Sequence, residues 1–497
     1  MPRRGRLLRP LAAPTGASMG VSGGSFTPLR SAELDKIVSA AFDILEQVGI
    51  ADAPSTVCDG LTARGAKMTP EGRLCFPRAI VEDAISRAPD RVDLPGFSPH
   101  CGLTIGDRTV HIGTGGAAVQ MLEPDTTTYH DATLADLYAL MQVLDACENI
   151  HYGVRPIIAR DLEDPLELDL NTAFACLKGT GKPIGVSFES PENLAATVAM
   201  FDAALGSEGA FRAQPFCMGV IVHVVPPLRF APEGVAVLQA CVEHGMIPQI
   251  CSAGQAGATS PVTLAGALAQ GLAECLAGLV LVDHFRTGSP CIYALMPFVS
   301  DLRTGAMTGG GGEGAVANAA AAQVLAHVGL PSTVSAGMTD AKIVDAQAGY
   351  EKGYTVALAA HAGANMINLS VGMLGSIMVA SPEAMVIDDD MCGAILRSVR
   401  GIEVSDETLD IDAIHRVATG EGHYLGEAQT LARMKTDYVY PSLADRLSVA
   451  EWQSAGSPSL WDKARARVQD ILAEPPTHLP RDAEARIRAA FPIHLPE

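Results

Sequence analysis

Eight short apolar runs recur between residues 109 and 402, each followed by a stretch with helical periodicity. Near-continuous apolar strands alternating with helices can bury both faces only as a parallel sheet covered by helices. The runs are 109–120, 150–159, 182–188, 214–225, 247–252, 290–296, 331–337 and 364–371. The intervening helices are expected at 166–177, 191–205, 231–244, 261–284, 313–326, 345–362 and 382–400. Eight such units predict an α/β fold, a (β/α)8 TIM-type barrel. An open doubly wound sheet is the competing topology, but no GxGxxG opens a helix after a first strand. The first run also reads as a hairpin over 111–120.

The flanks differ from this core. Residues 1–24 are basic and rich in Pro and Gly, which predicts a flexible arm; Pro10 and Pro14 interrupt any signal-like apolar core. Over 25–108 the spacing of Leu34, Ile37, Val38, Ala41, Phe42, Leu45 and Val48 predicts an N-terminal helical cap. Residues 109–402 form the barrel catalytic domain, and 403–497 read as a C-terminal helical extension on its outside or against a partner. Barrels with long outer helices tend to self-associate, so a homo-oligomer is expected.

A net charge of −21 argues against nucleic acid and anionic membranes as partners and suits a cationic ligand. The 11 cysteines are an odd number with no CxxC pair, which predicts reduced thiols, a cytoplasmic setting and no metal site. The longest apolar stretch, 264–282, is interrupted by Gln270 and Glu274 and reads as a buried helix, not a membrane span.

In a barrel of this kind chemistry sits at the C-terminal ends of the strands. The candidates there are Arg155, Phe188 and Glu189, 254–259, 298–304 and 338–345. The loop DLRTGAMTGGGGEG carries four consecutive glycines, Gly309 to Gly312. Glu313 then opens a helix whose N–H groups face a possible ligand. A phosphate-cradling loop would continue with Lys-Ser/Thr, which is absent, so nucleotide binding is rejected. Arg303 in this loop is a candidate fork for a substrate carboxylate, with a surface ion pair as the plainer reading. Lys342 has two readings: a Schiff-base lysine of a barrel lyase, or a side chain that orders its turn by pairing with Asp340 or Asp345. Aromatics make up 5% of the chain, so Tyr152, Phe188, Tyr293, Phe298 and Tyr350 stand out as candidates to cage a methylammonium, each with core packing as the alternative. His111, His223 and His361 lack HxxxH spacing and read as structural.

Several segments, in order, resemble the trimethylamine methyltransferase family: ACENIHYGVRPIIARD, TSPVTLAGALAQGLAECLAGLVL, GLPSTVSAGMTDAKIVDAQAGYEK, VIDDDMCGAILRSVRGIEVSDETL and HYLGEAQTLARMKTDYVYPSL. The resemblance runs from about residue 25 to near the end of the chain. It implies a (β/α)8 barrel that moves a methyl group from a methylated amine to the Co(I) of a separate corrinoid protein. It implies no tightly bound cofactor, because cobalamin comes with that partner. In the archetypal enzymes pyrrolysine precedes the motif matched here by Thr339 to Lys342, and Met338 occupies that position. The resemblance therefore points to a member without pyrrolysine, such as those acting on glycine betaine. Met338 would be an apolar wall, Arg303 would hold a carboxylate and the rim aromatics a trimethylammonium head. The alternatives are another donor or acceptor, such as a tertiary amine or a tetrahydrofolate-linked step, the Lys342 lyase, and a binding protein without turnover.

Overall fold

The computed structural model describes residues 21–496 apart from Thr126 and Glu421; the arm expected at 1–24 lies outside the described residues as far as residue 20. All eight strand–helix units are present. They are β1 (Thr109–Ile112), α1 (Leu134–Ala146), β2 (Gly153–Val154), α2 (Pro165–Gly179), β3 (Ile184–Val186), α3 (Pro191–Leu205), β4 (Cys217–Ile221) and α4 (Pro232–His244). There follow β5 (Ile247–Ser252), α5 (Leu264–Phe285), β6 (Ile292–Leu295), α6 (Gly312–Val328), β7 (Ser332–Ser335), α7 (Ala346–Ala362), β8 (Met366–Asn368) and α8 (Pro382–Val399). The start and stop chemistry is local. Asp164, Ser190 and Ser381 cap α2, α3 and α8 just ahead of a proline, and Gly206, Gly245, Gly329 and Gly363 end α3, α4, α6 and α7 in the left-handed conformation.

The strands pair in parallel in the order β2-β3-β4-β5-β6-β7-β8-β1, forming one curled sheet. Beyond its last pairing, Gly113 at the end of β1 bridges Tyr152 at the start of β2, and the His151 amide donates to the Ile112 carbonyl at 2.7 Å. Alternate side chains along each strand face the inside of the curl and form layers. Tyr152, Val154, Met218, Ile247, Ile292 and Met366 pack against the hairpin Val92–Leu94/Leu103–Ile105, which closes the end where the strands start. One step up, Gln249 Nε2 donates to Thr333 Oγ1 (2.9 Å), Asn368 Nδ2 to Gln249 Oε1 (3.1 Å) and Tyr152 Oη to Asn368 Oδ1 (2.6 Å). One step further, Cys251, Ala294 and Met296 make an apolar layer with Val220 and Phe298.

Several boundaries differ from expectation. The run 109–120 is split: β1 ends at Ile112, and Gln120–Leu122 joins a separate ribbon. Two residues of 150–159 remain as β2, because Pro156 cannot donate to a ladder. Residues 25–108 hold not only helices (Ser31–Gln47, Ser55–Ala63 and Arg78–Arg87) but also two hairpins. Periodicity flagged the helices there, while strands of two or three residues carry too little pattern to detect. In the C-terminal segment, helix Leu460–Leu472 lies on α8 and Arg481–Ala490 on α3. Helix α5 is long and apolar enough to cross a membrane, yet its residues from Ala267 to Asp283 are buried inside the protein.

Asp283 joins the N-terminal segment to this central helix. Its carboxylate takes the Arg87 fork at 2.9 and 2.7 Å and Arg64 Nη2 at 2.6 Å. Burial alone would raise the Asp283 carboxyl, but the hydrogen bonds and charges of Arg87 and Arg64 outweigh it and hold it below its ordinary value. Asp283→Asn is expected to cost about 1–3 kcal/mol at pH 7, read from urea unfolding. A depressed carboxyl contributes stability above the unfolded-state pKa and loses it as pH falls through the folded one. The gap between the two proteins should therefore close below about pH 4; a gap independent of pH would show that the charge is irrelevant.

Candidate active site

Beyond the C-terminal ends of the strands stand two ribbons. One joins Gln255–Ala256, Phe298–Ser300 and Met307–Thr308; the other joins Met373–Leu374, Val379–Ala380, Gln120–Leu122 and Tyr129–Asp131. The segment Gly337 to Lys342, which follows β7, is held between them. On one side the Gly309 amide donates to Asp340 Oδ1 at 2.7 Å. On the other, the Ser376 and Gly375 amides donate to the Thr339 and Ala341 carbonyls, both at 2.8 Å, and Tyr129 Oη donates to the Lys342 carbonyl at 2.8 Å.

Helix α7 holds the segment from behind. Buried Glu351 accepts the Thr339 hydroxyl and, at 2.9 Å, both the Asp340 amide and Gln347 Nε2. Thr355 Oγ1 accepts the Gly337 amide at 3.0 Å. Gly337 has φ +93° with its α-carbon against the Ser370 backbone, so a side chain is excluded twice over. Two glycines of the run are constrained as well: a Cβ on Gly309 would press on the Thr339 backbone, one on Gly310 would strike the Glu351 side chain, and the Tyr354 hydroxyl donates to the Gly310 carbonyl. These glycines permit close packing against Thr339 and Glu351, and Gly309 spends its amide on Asp340.

Met338, 4% exposed, and Phe298 share one cavity with Asn318, Ser335 and Thr355, but its volume is only 10 Å³. Asn318 braces it, donating to the Pro297 carbonyl (3.2 Å) and accepting the Ser335 amide (2.9 Å). Phe188 lies elsewhere, on a 170 Å³ cavity with Arg155, Asp169, Thr172 and Glu189. The remaining candidates do not converge. Arg303 is 88% exposed and already forks onto Asp301 at 3.0 and 2.7 Å. Glu313 is exposed on the first turn of α6, and Tyr350 is exposed on α7. Tyr293 is buried on the outer face of the sheet beside Cys291. Lys342 is exposed and donates to the Asp340 carbonyl at 2.6 Å, which fits the turn-ordering reading; a Schiff-base lysine needs desolvation.

His111 and His223 are buried, each on a backbone carbonyl, at Thr104 (3.1 Å) and Glu274 (2.9 Å); burial pushes both down, His223 to about 4. Among the described residues no cluster of His, Cys, Asp and Glu is arranged to hold a metal ion. The inner polar layer went unread in the sequence. Its signal is a polar residue inside an apolar strand run, Gln249 in IPQICS and Asn368 in MIN.

Residues 14–491 match the family described as trimethylamine methyltransferase (MTTB). The chain is 28% identical over 471 residues to trimethylamine methyltransferase MttB of Desulfitobacterium hafniense, covering 94% of each chain. It is 29% identical over 464 residues to a glycine betaine methyltransferase from another strain of that species, covering 93% of this chain and 95% of the relative. Among solved structures, it is similar to dihydropteroate synthase of Xanthomonas albilineans, at 15% identity and a TM-score of 0.36, covering 64% of this chain and 99% of that one.

Thr339→Val removes a donor to Glu351 and the acceptor of the Ala341 amide (3.1 Å). It is expected to cost about 1–3 kcal/mol and to speed amide exchange across residues 338–342. Lys342→Met should change stability by no more than about 0.5 kcal/mol. Equal effects from the two variants would refute the assignment of the clamp to Thr339 and Glu351.

Proposed function

The chain belongs to the trimethylamine methyltransferase family and is a methyltransferase, and from that premise we propose that its donor is a quaternary amine such as glycine betaine and its acceptor the Co(I) of a separate corrinoid protein. The observation that carries this reading is Met338. A thioether side chain stands where the resemblance sets pyrrolysine, in a segment clamped from three sides. It has no electrophilic carbon with which to form an adduct to an amine. The amine must therefore depart unaided. A quaternary ammonium departs as a neutral tertiary amine and needs no proton, whereas trimethylamine would have to leave as an amide anion unless protonated. The chain's task reduces to orienting the donor and excluding water.

The corrinoid, carried by its own protein, supplies the nucleophile. The surface above the strands suits a docked protein: Val222, Val225, Val262, Leu302, Tyr350 and Met378 are each about half exposed or more, on the loops or helix following β4 to β8. Large apolar side chains grouped on one rim mark interaction sites. We read the curled sheet as a closed (β/α)8 barrel, supported by the Gly113–Tyr152 bridge, with 25–108 as its cap, 109–402 as its catalytic domain and 403–497 as an outer extension.

The test is methyl transfer with glycine betaine and a reduced corrinoid protein, following the cobalt spectrum and the tertiary amine released. Expected are one methyl-cobalt and one dimethylglycine per turnover, with no product from trimethylamine. Turnover of trimethylamine in preference to betaine would overturn the quaternary-donor reading.

A further inference from the structure

We infer that the 170 Å³ cavity between the ends of β2 and β3 and helix α2 recognises a zwitterionic methyl donor, with Arg155 taking its carboxylate and Phe188 and Glu189 its quaternary ammonium. This rests on the quaternary-donor reading above and adds the residues that select such a donor.

Arg155 is the unusual group. Its guanidinium extends from the end of β2 and lies largely out of solvent, yet among the described residues it makes no ion pair. Its partners are neutral and distant: the Gly116 and Ile157 carbonyls at 3.5 Å and Ser187 Oγ at 3.2 Å. The other buried cations are satisfied. Lys352 pairs with Asp388, and Lys182 Nζ donates to the carbonyls of Leu144, Cys147 and Ile150 at 2.8, 2.5 and 2.7 Å. Burial pushes the Arg155 guanidinium below its ordinary value, and the charge of Asp169, which forms no ion pair with it, does not offset this, a cost that an incoming anion would reduce. Asp169, on the same cavity, lends Arg155 its charge through space but no ion pair. Both of its hydrogen bonds, from the Glu189 amide (2.8 Å) and Asn193 Nδ2 (2.9 Å), fall on Oδ2 and fasten the start of α3 to α2. An arginine fork with free N–H groups matches a carboxylate.

The same cavity also carries the complementary chemistry. Phe188 is half-buried and Glu189 exposed. A quaternary ammonium makes no hydrogen bond and is held by an aromatic face and a nearby negative charge. The volume equals about six waters, the scale of a small zwitterion.

The experiment titrates the full-length protein with glycine betaine and with tetramethylammonium, which has the same head and no carboxylate. In Arg155→Met we expect betaine affinity to fall about 10- to 100-fold while tetramethylammonium affinity holds, with partial recovery in Arg155→Lys and no change in Arg303→Met. Phe188→Leu with Glu189→Gln provides a second route should the Arg155 variants not fold, and should weaken both ligands together. Betaine affinity within about threefold of the parent in Arg155→Met, or equal loss of both ligands there, overturns the inference. Methyl transfer to cobalt from a carboxylate-free amine, with no binding of betaine, overturns it too and leaves the methyltransferase reading standing. Betaine binding that depends on Arg155 without transfer to cobalt supports this site and sinks the corrinoid reading.

Discussion

A parallel strand has no face that can be left in water, and the architecture follows from that constraint. Outside the sheet, eight helices cover it. Inside, the curl must be filled by the alternate side chains of strands as short as the two residues of β2. Apolar packing alone would leave those short ladders free to slide. The layer of Gln249, Thr333, Asn368 and Tyr152 works against this, since a slip of one residue would bury four polar groups without partners. The hairpin at 92–105 completes the arrangement by sealing the end where the strands start, so that open space is confined to the other end.

That open end is more rigid than its glycine content suggests. Glu351 connects Thr339, Asp340 and Gln347, and Asp340 in turn holds Gly309 and Ser376. One helix, one glycine loop and one ribbon thereby share a single set of hydrogen bonds, with Met338 at its centre. A small cavity of 10 Å³ beside Met338 is the packing consequence. Where the resemblance sets pyrrolysine, the segment is held firmly around a thioether without electrophilic chemistry, which agrees with the proposed quaternary donor.

The strand–helix alternation was legible because apolar periodicity is a one-dimensional record of burial, and the eight units lie where it places them. The ends of the units were less legible. Hydrogen bonding stops where a proline intervenes, as at Pro156, or where the chain leaves for a ribbon, as after Ile112. Site residues were harder still. Position after a strand pointed to Arg155, Phe188 and Phe298, but Tyr293, one residue from inward-facing Ile292, lies on the outer face. Strand parity separates these two cases, and parity depends on register, which composition does not record. The crowding of charge around Asp340 was visible, whereas the centring of it on Glu351 required the helix to fold back onto the turn.

Arg155 and Arg303 show why residue type is a weak guide to electrostatic role. Both follow strands and both are arginines. Arg303 stands in water with Asp301 two residues away, and its charge is spent on a local turn and screened by solvent. Arg155 is half-buried among the neutral groups of three loops, forms no ion pair among the described residues, and lines a 170 Å³ cavity beside the strand ends. A chain with net charge −21 has carboxylates in excess, and any of many substitutions nearby would have supplied a partner. A half-buried guanidinium without an ion pair costs stability in the free protein, and the anion proposed for this cavity would recover part of that cost on binding. Affinity for the proposed ligand would be drawn from a cost already present in its absence.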